Sequence, residues 1–412
     1  MFRKATNMTL VVIIALFLCG TLGLKVASGL GAPLPEWMAV GQKHSYLEGR
    51  DYEKRPNLTI ESISSGVFQF KLDKYLSDII PLKDSVTLAN AAMQRASIKT
   101  ANAFFSFSCY PTYYGSSKVF VSEHNAIMYM PVSLNRDELT FACESLSNLS
   151  LLAKDYPDVL FSVYVVQGGQ FASANPAYDY CSNATNGDEY AKALLDSIDE
   201  DVGNIFLFTK TYSSVSDFLT EFFRTDHHWN SQGAITAFND MAEEMGITSL
   251  SNPKRTDFGD YRFSGAIARW GLDLQTEEVF DLGGDGEGLT VIEPDGKTIP
   301  YSHDRWSKDV STARIYRFHD EYYDWLKDGS TIVNMHGEGR ALIVCDSYGA
   351  DLVPMLGRHF ASLDYVKDLH SSSKSTGSLR ALLEEGNYDC VFLIASCSNY
   401  SKLALRSPDY FL

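Results

Sequence analysis

Ala341-Leu-Ile-Val-Cys-Asp-Ser-Tyr-Gly-Ala350 reads as a buried strand that turns sharply into a helix. Ala341 to Cys345 is a continuous apolar run, the pattern of a strand covered on both faces. Ser347 comes immediately after the run. Gly349 permits a sharp turn. Asp351 to Phe360 can start a helix, with Pro354 in its first turn, where a helix tolerates proline. A serine on such a turn stands at the sheet edge, beside backbone N–H groups that can face a developing oxyanion. Serine is also a common turn residue, so Ser347 alone reads first as a turn without chemistry.

The same alternation extends in both directions. A helix at Asp137 to Asp155 leads to a strand at Val159 to Val166, and a helix at Tyr190 to Ile198 leads to a strand at Asn204 to Phe208. Downstream come a strand at Ser362 to Leu369, a helix at Thr376 to Glu385 and a strand at Asp389 to Ala395. Strands alternating with helices imply an α/β fold with a mostly parallel sheet and sites at strand C-termini. Gln167 to Gln170 and Ser396 to Asn399 lie at such ends, as Ser347 does. Val67 to Leu76 and Ser85 to Ser97 read as helices wrapping the core, and Phe104 to Val132 as β or irregular. From Gly246 to about Pro300 the pattern is lost. Its run Gly283-Gly-Asp-Gly-Glu-Gly288 has neither dinucleotide-loop context nor EF-hand spacing and reads as a hairpin or surface loop.

Arg224-Thr-Asp-His-His-Trp-Asn-Ser-Gln232 makes Ser347 interesting. Ala234, Ile235, Phe238, Met241, Ala242 and Met245 follow on one helical face, with Gly246 as the stop and Asn230 or Ser231 as N-cap. The Asp-His-His-Trp run therefore sits on the loop entering a helix, where chemistry often resides. A histidine acting as base needs a carboxylate to orient its far nitrogen and stabilise the imidazolium, and Asp226 with His228 provides the pair. A metal reading of Asp226-His-His228 needs further aspartates at strand ends; the nearby Asp199 and Asp201 lie in a polar helix tail. No cysteine spacing resembles a zinc site. His227 reads as a packing residue, and Trp229 either packs or stacks on a sugar.

Thr225-Asp-His-His-Trp-Asn230, followed far downstream by Asp346-Ser-Tyr-Gly-Ala-Asp351, resembles the DHHW protein family and the alginate O-acetylation proteins of SGNH-hydrolase-like fold. The resemblance implies a flavodoxin-like sheet flanked by helices. Asp226 matches the orienting acid, His228 the base and Ser347 the nucleophile, in an order circularly permuted relative to ordinary SGNH hydrolases. Ser45-Tyr-Leu-Glu-Gly-Arg50, Ser65 to Phe68 and Leu76 to Asp84 resemble further family segments. Gly49, Lys83, His370 and Gln167-Gly-Gly-Gln170 depart from them. What the resemblance implies is serine-dependent O-acetyl transfer to a surface or exported polysaccharide through an acyl-enzyme. It also implies a membrane-bound acyltransferase partner as acetyl donor, with no cofactor and no metal. Tyr348, Gly168, Asn399, Trp229 and His370 are the candidates for substrate or oxyanion contacts. A carbohydrate acetyl esterase, or a non-catalytic glycan-binding protein on the same fold, is the alternative.

Composition agrees with work outside the cell. The chain has 412 residues, 45% hydrophobic and 21% charged, enough to bury a large core. A net charge of -17 excludes a phosphate-backbone binder and a peripheral binder of anionic membranes. Arg3 and Lys4 precede an uncharged run from Met8 to Leu24, closed by Lys25. Its length favours a retained membrane anchor over a signal cleaved near Val26-Ala-Ser28. The leading positive charges place the remaining chain outside. The expected organisation is an anchor or signal at 1–30, a tether and helices at 31–100, and the catalytic domain at 101–412. Cys109, Cys143 and Cys181 are the better disulfide candidates, whereas Cys345 and Cys390 read equally as buried thiols.

Overall fold

The structure, a computed structural model, describes residues 19–20, 23, 26–27, 30, 44–45, 47, 50–80, 83–105, 119–121, 124, 126–133, 136–181, 183–199, 201–250, 253–273, 275–283, 286–302, 319, 322–369 and 377–412. Its contacts divide the chain into two compact units. The first takes 1–107 with 113–115; the second takes 108–112 with 116–412. The first unit contains a two-stranded antiparallel pair, β1 (His44–Ser45) and β2 (Arg50–Asp51), and the helices α1 (Ile60–Ser64), α2 (Val67–Asp78) and α3 (Lys83–Phe105). Both long helices extend beyond the stretches that periodicity marks. Asp78 ties them, accepting from the Glu53 N–H at 2.8 Å and from Lys83 Nζ at 3.1 Å. The expected membrane anchor lies almost wholly outside the described residues. Among those described, no helix is long and apolar enough to cross a membrane.

The second unit is built on an eight-stranded sheet. Its strands are β5 (Leu160–Val166), β6 (Ile205–Thr209), β9 (Thr290–Ile292), β10 (Thr298–Pro300), β11 (Ser330–Val333), β12 (Arg340–Cys345), β13 (Ser362–Val366) and β14 (Cys390–Ser396). Two small antiparallel pairs stand apart from it: β3 (Val119–Val121) with β4 (Ile127–Tyr129), and β7 (Thr256–Phe263) with β8 (Glu277–Asp281). The order across the large sheet is β10-β9-β11-β13-β12-β14-β5-β6. From β13 to β6 every neighbour is parallel; β11, β9 and β10 continue the β13 edge antiparallel. Counted from β12, the five parallel strands have the order 2-1-3-4-5 of one doubly wound class. The order reverses at β12 and β14, where such sheets open a crevice beyond the strand C-termini.

The parallel strands are apolar because helices cover both faces. Tyr164, Ile343, Cys345, Phe392 and Ile394 pack on one side with α7 (Ser231–Met245) and α10 (Val353–Gly357). Phe161, Val163, Val165, Leu342, Val344, Val391 and Leu393 face the other. That side is covered by α4 (Arg136–Asp155), α5 (Gly187–Asp196), α11 (Leu379–Gly386) and α12 (Cys397–Arg406). Of the remaining helices, α6 (Val215–Glu221) precedes the Asp-His-His-Trp loop, α8 (Ala266–Trp270) lies between β7 and β8, and α9 (Ser347–Ala350) follows β12.

The stretch from 246 to about 300, which shows no clear period in the sequence, supplies β7, α8, β8 and the β9–β10 hairpin that extends the sheet. Ser396 to Asn399 does lie at a strand end: it closes β14 and opens α12, whose Cys397, Tyr400, Leu403 and Ala404 are buried at helical spacing. The expected disulfides are not formed among the described residues. Cys143, Cys181, Cys345, Cys390 and Cys397 are all free thiols, and Cys109 lies outside the described residues.

The turn after β12 is also built differently. The helix begins at Ser347 itself, capped by Asp346, whose side chain accepts from the Tyr348 N–H at 3.0 Å. Gly349 serves close approach, since a Cβ there would lie 2.3 Å from Cys345 Cβ and 2.6 Å from its sulfur. Gly349→Ala should therefore destabilise the fold by about 1–3 kcal/mol through overpacking. Urea unfolding followed by circular dichroism checks this; an unchanged midpoint would contradict the tight seat of α9.

Candidate active site

The Asp-His-His-Trp loop is pinched at its base by main-chain bonds. Phe222 and Trp229 form an antiparallel bridge, the Phe223 N–H donates to His228 O at 3.2 Å, and the Asn230 N–H to Glu221 O at 2.8 Å. Asn230 caps α7, accepting from Gln232 and Gly233 N–H groups. The outer turn is tied to other segments. The Ile127 N–H donates to Arg224 O at 2.8 Å, and the Ala268 N–H to Thr225 O at 3.0 Å. Glu277 on β8 accepts from the N–H groups of Arg224 and Thr225 and from Thr225 Oγ1 at 2.6–2.9 Å. Burial pushes its carboxyl up to about 7 even so.

This frame aims three side chains at one another. His228 Nδ1 lies 2.6 Å from Asp226 Oδ1, and His228 Nε2 lies 2.8 Å from Ser347 Oγ. Asp226 and His228 are each 5% exposed, whereas Ser347 is partly open. The Asp226 carboxylate is fully engaged. Oδ1 also accepts from the His228 N–H at 3.1 Å, and Oδ2 from the Ala266 N–H at 2.5 Å. Burial would raise its pKa, but the imidazoles of His228, His227 and His319 hold it well below the usual carboxylate range. For His228 burial acts first, with His227 and His319 adding to it; together they overcome Asp226 and keep the ring neutral well below the ordinary histidine range. A neutral ring held by a carboxylate, with its other nitrogen on a hydroxyl, is set to accept that hydroxyl's proton. Ser347 opens α9, so its own N–H has no partner within the helix and lies beside its Oγ.

Asp226, His227 and His228 each offer a metal-ligand atom within 4.8 Å of one another. Both oxygens of Asp226 and both nitrogens of His228 are already spent on the contacts above, so the set fits a proton relay better than an ion.

The other candidates take different places. Trp229 is 2% exposed and meets Tyr164 and Tyr348 edge-on, which makes it core and removes it as a sugar platform. Tyr348 is buried, and its hydroxyl donates to His227 O at 2.6 Å instead of facing an oxyanion. Asn399 gives its amide to Asp346 Oδ2 at 2.8 Å, and the Ser396 N–H joins it at 2.9 Å; Asn399 thus braces the residue before Ser347. Gly168 lies on the turn after β5 against the Tyr348 hydroxyl. His370 lies outside the described residues. His227 is partly exposed, its ring stacked on Trp270 at 5.6 Å, with Tyr129 at 6.4 Å. Sequence reasoning missed Tyr129, Gly265, Trp270, Glu277 and His319. Tyr129 and Trp270 share no periodic pattern with the motif, and the others are single polar or glycine positions in irregular stretches.

The geometry prompts comparison with known proteins. No family model matches this sequence, and no curated protein is similar to it at the sequence level. Solved structures do share its fold. A DHHW family protein from Eubacterium siraeum aligns over 70% of this chain and 95% of its own, with 15% identity and a TM-score of 0.52. Bacillus cereus PatB1, solved with a sulfonyl adduct, aligns over 71% and 99%, with 15% identity and a TM-score of 0.52. The O-acetyltransferase domain of Pseudomonas putida AlgJ aligns more loosely, over 69% and 92% with 10% identity and a TM-score of 0.37. The chain is thus a mixed α/β protein whose fold is similar to that of the DHHW family protein and of PatB1.

Gly265 is the backbone position on which the Asp226 seat depends. A Cβ there would lie 2.3 Å from Asp226 Cβ and 2.6 Å from Thr225 O. Gly265→Ala should displace the carboxylate and cost about 1–3 kcal/mol. Thermal unfolding combined with the rate of Ser347 modification by a sulfonyl fluoride checks it; a wild-type rate would show that Asp226 does not need this seat.

Proposed function

We propose that this chain is a serine-dependent O-acyltransferase of SGNH-hydrolase-like type, with its motif order circularly permuted, acting on a polysaccharide outside the cell. One observation carries the reading: the His228 ring joins Asp226 at 2.6 Å to Ser347 at 2.8 Å. Ser347 comes from a segment distant from the loop that carries Asp226 and His228, and the order of the three fits hydroxyl activation. The 2-1-3-4-5 order counted from β12 supports the permutation, since the nucleophile then follows strand one and the base follows strand five. The sulfonyl adduct on PatB1, a protein of the same fold, makes a sulfonyl fluoride the natural probe.

Ser347 Oγ attacks the acyl carbonyl and passes its proton to His228 Nε2, while Asp226 stabilises the imidazolium. The Ser347 N–H faces the oxyanion. Collapse breaks the bond to the leaving group, which takes the proton from His228. A sugar hydroxyl then gives its proton to His228 and attacks the acyl-serine; Ser347 leaves and recovers a proton. Water in place of the sugar makes the same site an esterase. The partly exposed rings of Tyr129, His227 and Trp270 beside the triad suit a sugar face better than the buried Trp229 does. On this reading the acyl donor is a membrane-bound acyltransferase, which the resemblance implies, and the charges leading the N-terminal apolar run support a site held outside the cell by a membrane anchor.

Phenylmethylsulfonyl fluoride should add one sulfonyl group at Ser347, read by intact-mass and peptide mass spectrometry, and Ser347→Ala should abolish the label. Ser347→Ala and His228→Ala should each lower acetyl-ester turnover by about 10⁴-fold or more, because nucleophile and base act as a unit. Asp226→Asn should cost less, about 10²–10⁴-fold, and His227→Ala least. Equal turnover in Ser347→Ala and wild type would leave glycan binding as the function of this fold.

Trp270→Ala separates acceptor binding from chemistry. It should raise KM for a glycan acceptor while sulfonylation of Ser347 continues at the wild-type rate. A parallel fall in both would place Trp270 in the support of the triad.

A further inference from the structure

A second imidazole lies flat against the base. The ring centroids of His319 and His228 are 3.5 Å apart and their planes differ by 4°. His319 is 3% exposed, and its Nε2 lies 3.3 Å from Asp351 Oδ1; Asp351 is 2% exposed. Asp351 is the C-cap of α9, the helical turn that Ser347 opens. One buried ion pair therefore touches the base through a ring face and the nucleophile's helix through its cap. The triad's own hydrogen bonds use neither residue.

We propose that His319 and Asp351 are positioning residues that set the base strength of His228, a charged imidazolium held against its ring by a buried carboxylate. The proposal rests on the acyl-transfer reading above. A buried ion pair is weak evidence for stability, since desolvation offsets most of its attraction. This pair has a use that a hydrophobic pair would lack. A cation at stacking distance disfavours a second cation on His228, so the resting base stays neutral and its protonated form is a stronger acid toward the leaving oxygen.

The groups facing His319 agree with this sign. Burial pulls its proton off, but Asp351 opposes burial first, then the carboxylates of Asp226 and Asp324, and the ring is held protonated up to about 9. The Tyr323 ring, 5.7 Å away, is the other neighbour. Burial pushes Asp351 up to about 6, while His319 draws its carboxyl toward the ionised form. On His228 itself burial, His227 and His319 all favour the neutral ring, and Asp226 alone opposes them.

The test follows the rate of Ser347 sulfonylation by phenylmethylsulfonyl fluoride from pH 4 to 9 in the full chain. Wild type, Asp351→Asn, His319→Gln and the double variant are compared by intact mass. In wild type the rate should hold to well below the ordinary histidine range and fall only as His228 takes up a proton. His319→Gln and the double variant remove the neighbouring cation, so the acid limb should move upward by about one pH unit or more while the plateau at high pH survives; Asp351→Asn, which removes only the counterion, should move it less. A merely structural role would lower the plateau and leave the limb in place, and that result overturns the proposal. An unchanged profile in all variants overturns it too. Absence of labelling in wild type overturns the acyl-transfer reading as well, so the two failures are distinct. Should the variants not fold, ¹⁵N NMR of the wild-type histidines decides. His319 protonated at pH 7 beside a neutral His228 supports the proposal, and a neutral His319 ends it.

Discussion

The Asp226 carboxylate is the contact on which the site depends. It is buried, and each oxygen has a fixed duty: Oδ1 to the backbone and ring of His228, Oδ2 to the Ala266 N–H. A buried charge is tolerated only when its lone pairs are met. The fold meets them by closing the Gly265–Ala266 turn directly over the side chain. Thr225 extends the same restraint, since its hydroxyl accepts from the Gly265 N–H at 2.9 Å while donating to Glu277. The ring of His228 is therefore positioned through Asp226 by the backbone at the start of α8, with the Glu277 side chain on β8 holding Thr225. Ser347 need only arrive at the end of β12 for the hydroxyl to meet Nε2.

Ser347 is itself set from the opposite side. Asp346 caps its helix and is fixed in turn by the Ser396 N–H and the Asn399 amide at the end of β14. Burial raises the Asp346 pKa against these donors. Ser347 and His228 thus rest on independent supports, one at the β12–β14 switch point and one on the β7–β8 pair. His319 is the described side chain that touches His228 and also pairs with the cap of the Ser347 helix.

Much of this was legible in the sequence where the signal is local. The run 341–345 announces a strand buried on both faces, and Asn230 and Gly246 bracket α7 where the periodicity says they should. Asp226 and His228 stand two residues apart on one loop, so their pairing needs no tertiary knowledge. The sequence is silent where the signal is short or non-local. β9, β10 and β11 have three or four residues each, too few for alternation to register, and they pair antiparallel on an otherwise parallel sheet. Asn399, Tyr348 and Trp229 are the right residues in the right neighbourhood, but their partners are chosen by packing: Asp346, the His227 carbonyl and the aromatic core. His319 belongs to no pattern, because its meaning comes only from the ring it lies against.

The position of β14 has a consequence for how the molecule is made. It is the last strand in the chain, yet it lies between β12 and β5. Before it is in place, β5 and β6 share no strand neighbour with β12 and β13. His228 emerges from the ribosome about 120 residues before Ser347, and the two halves of the sheet are joined by β14, which follows both. Long-range pairing of this kind is slow to form. A chain in which β14 is not yet paired, or has been clipped away, therefore carries His228 and Ser347 on separate pieces of sheet, and the hydrogen bond between them waits on that strand.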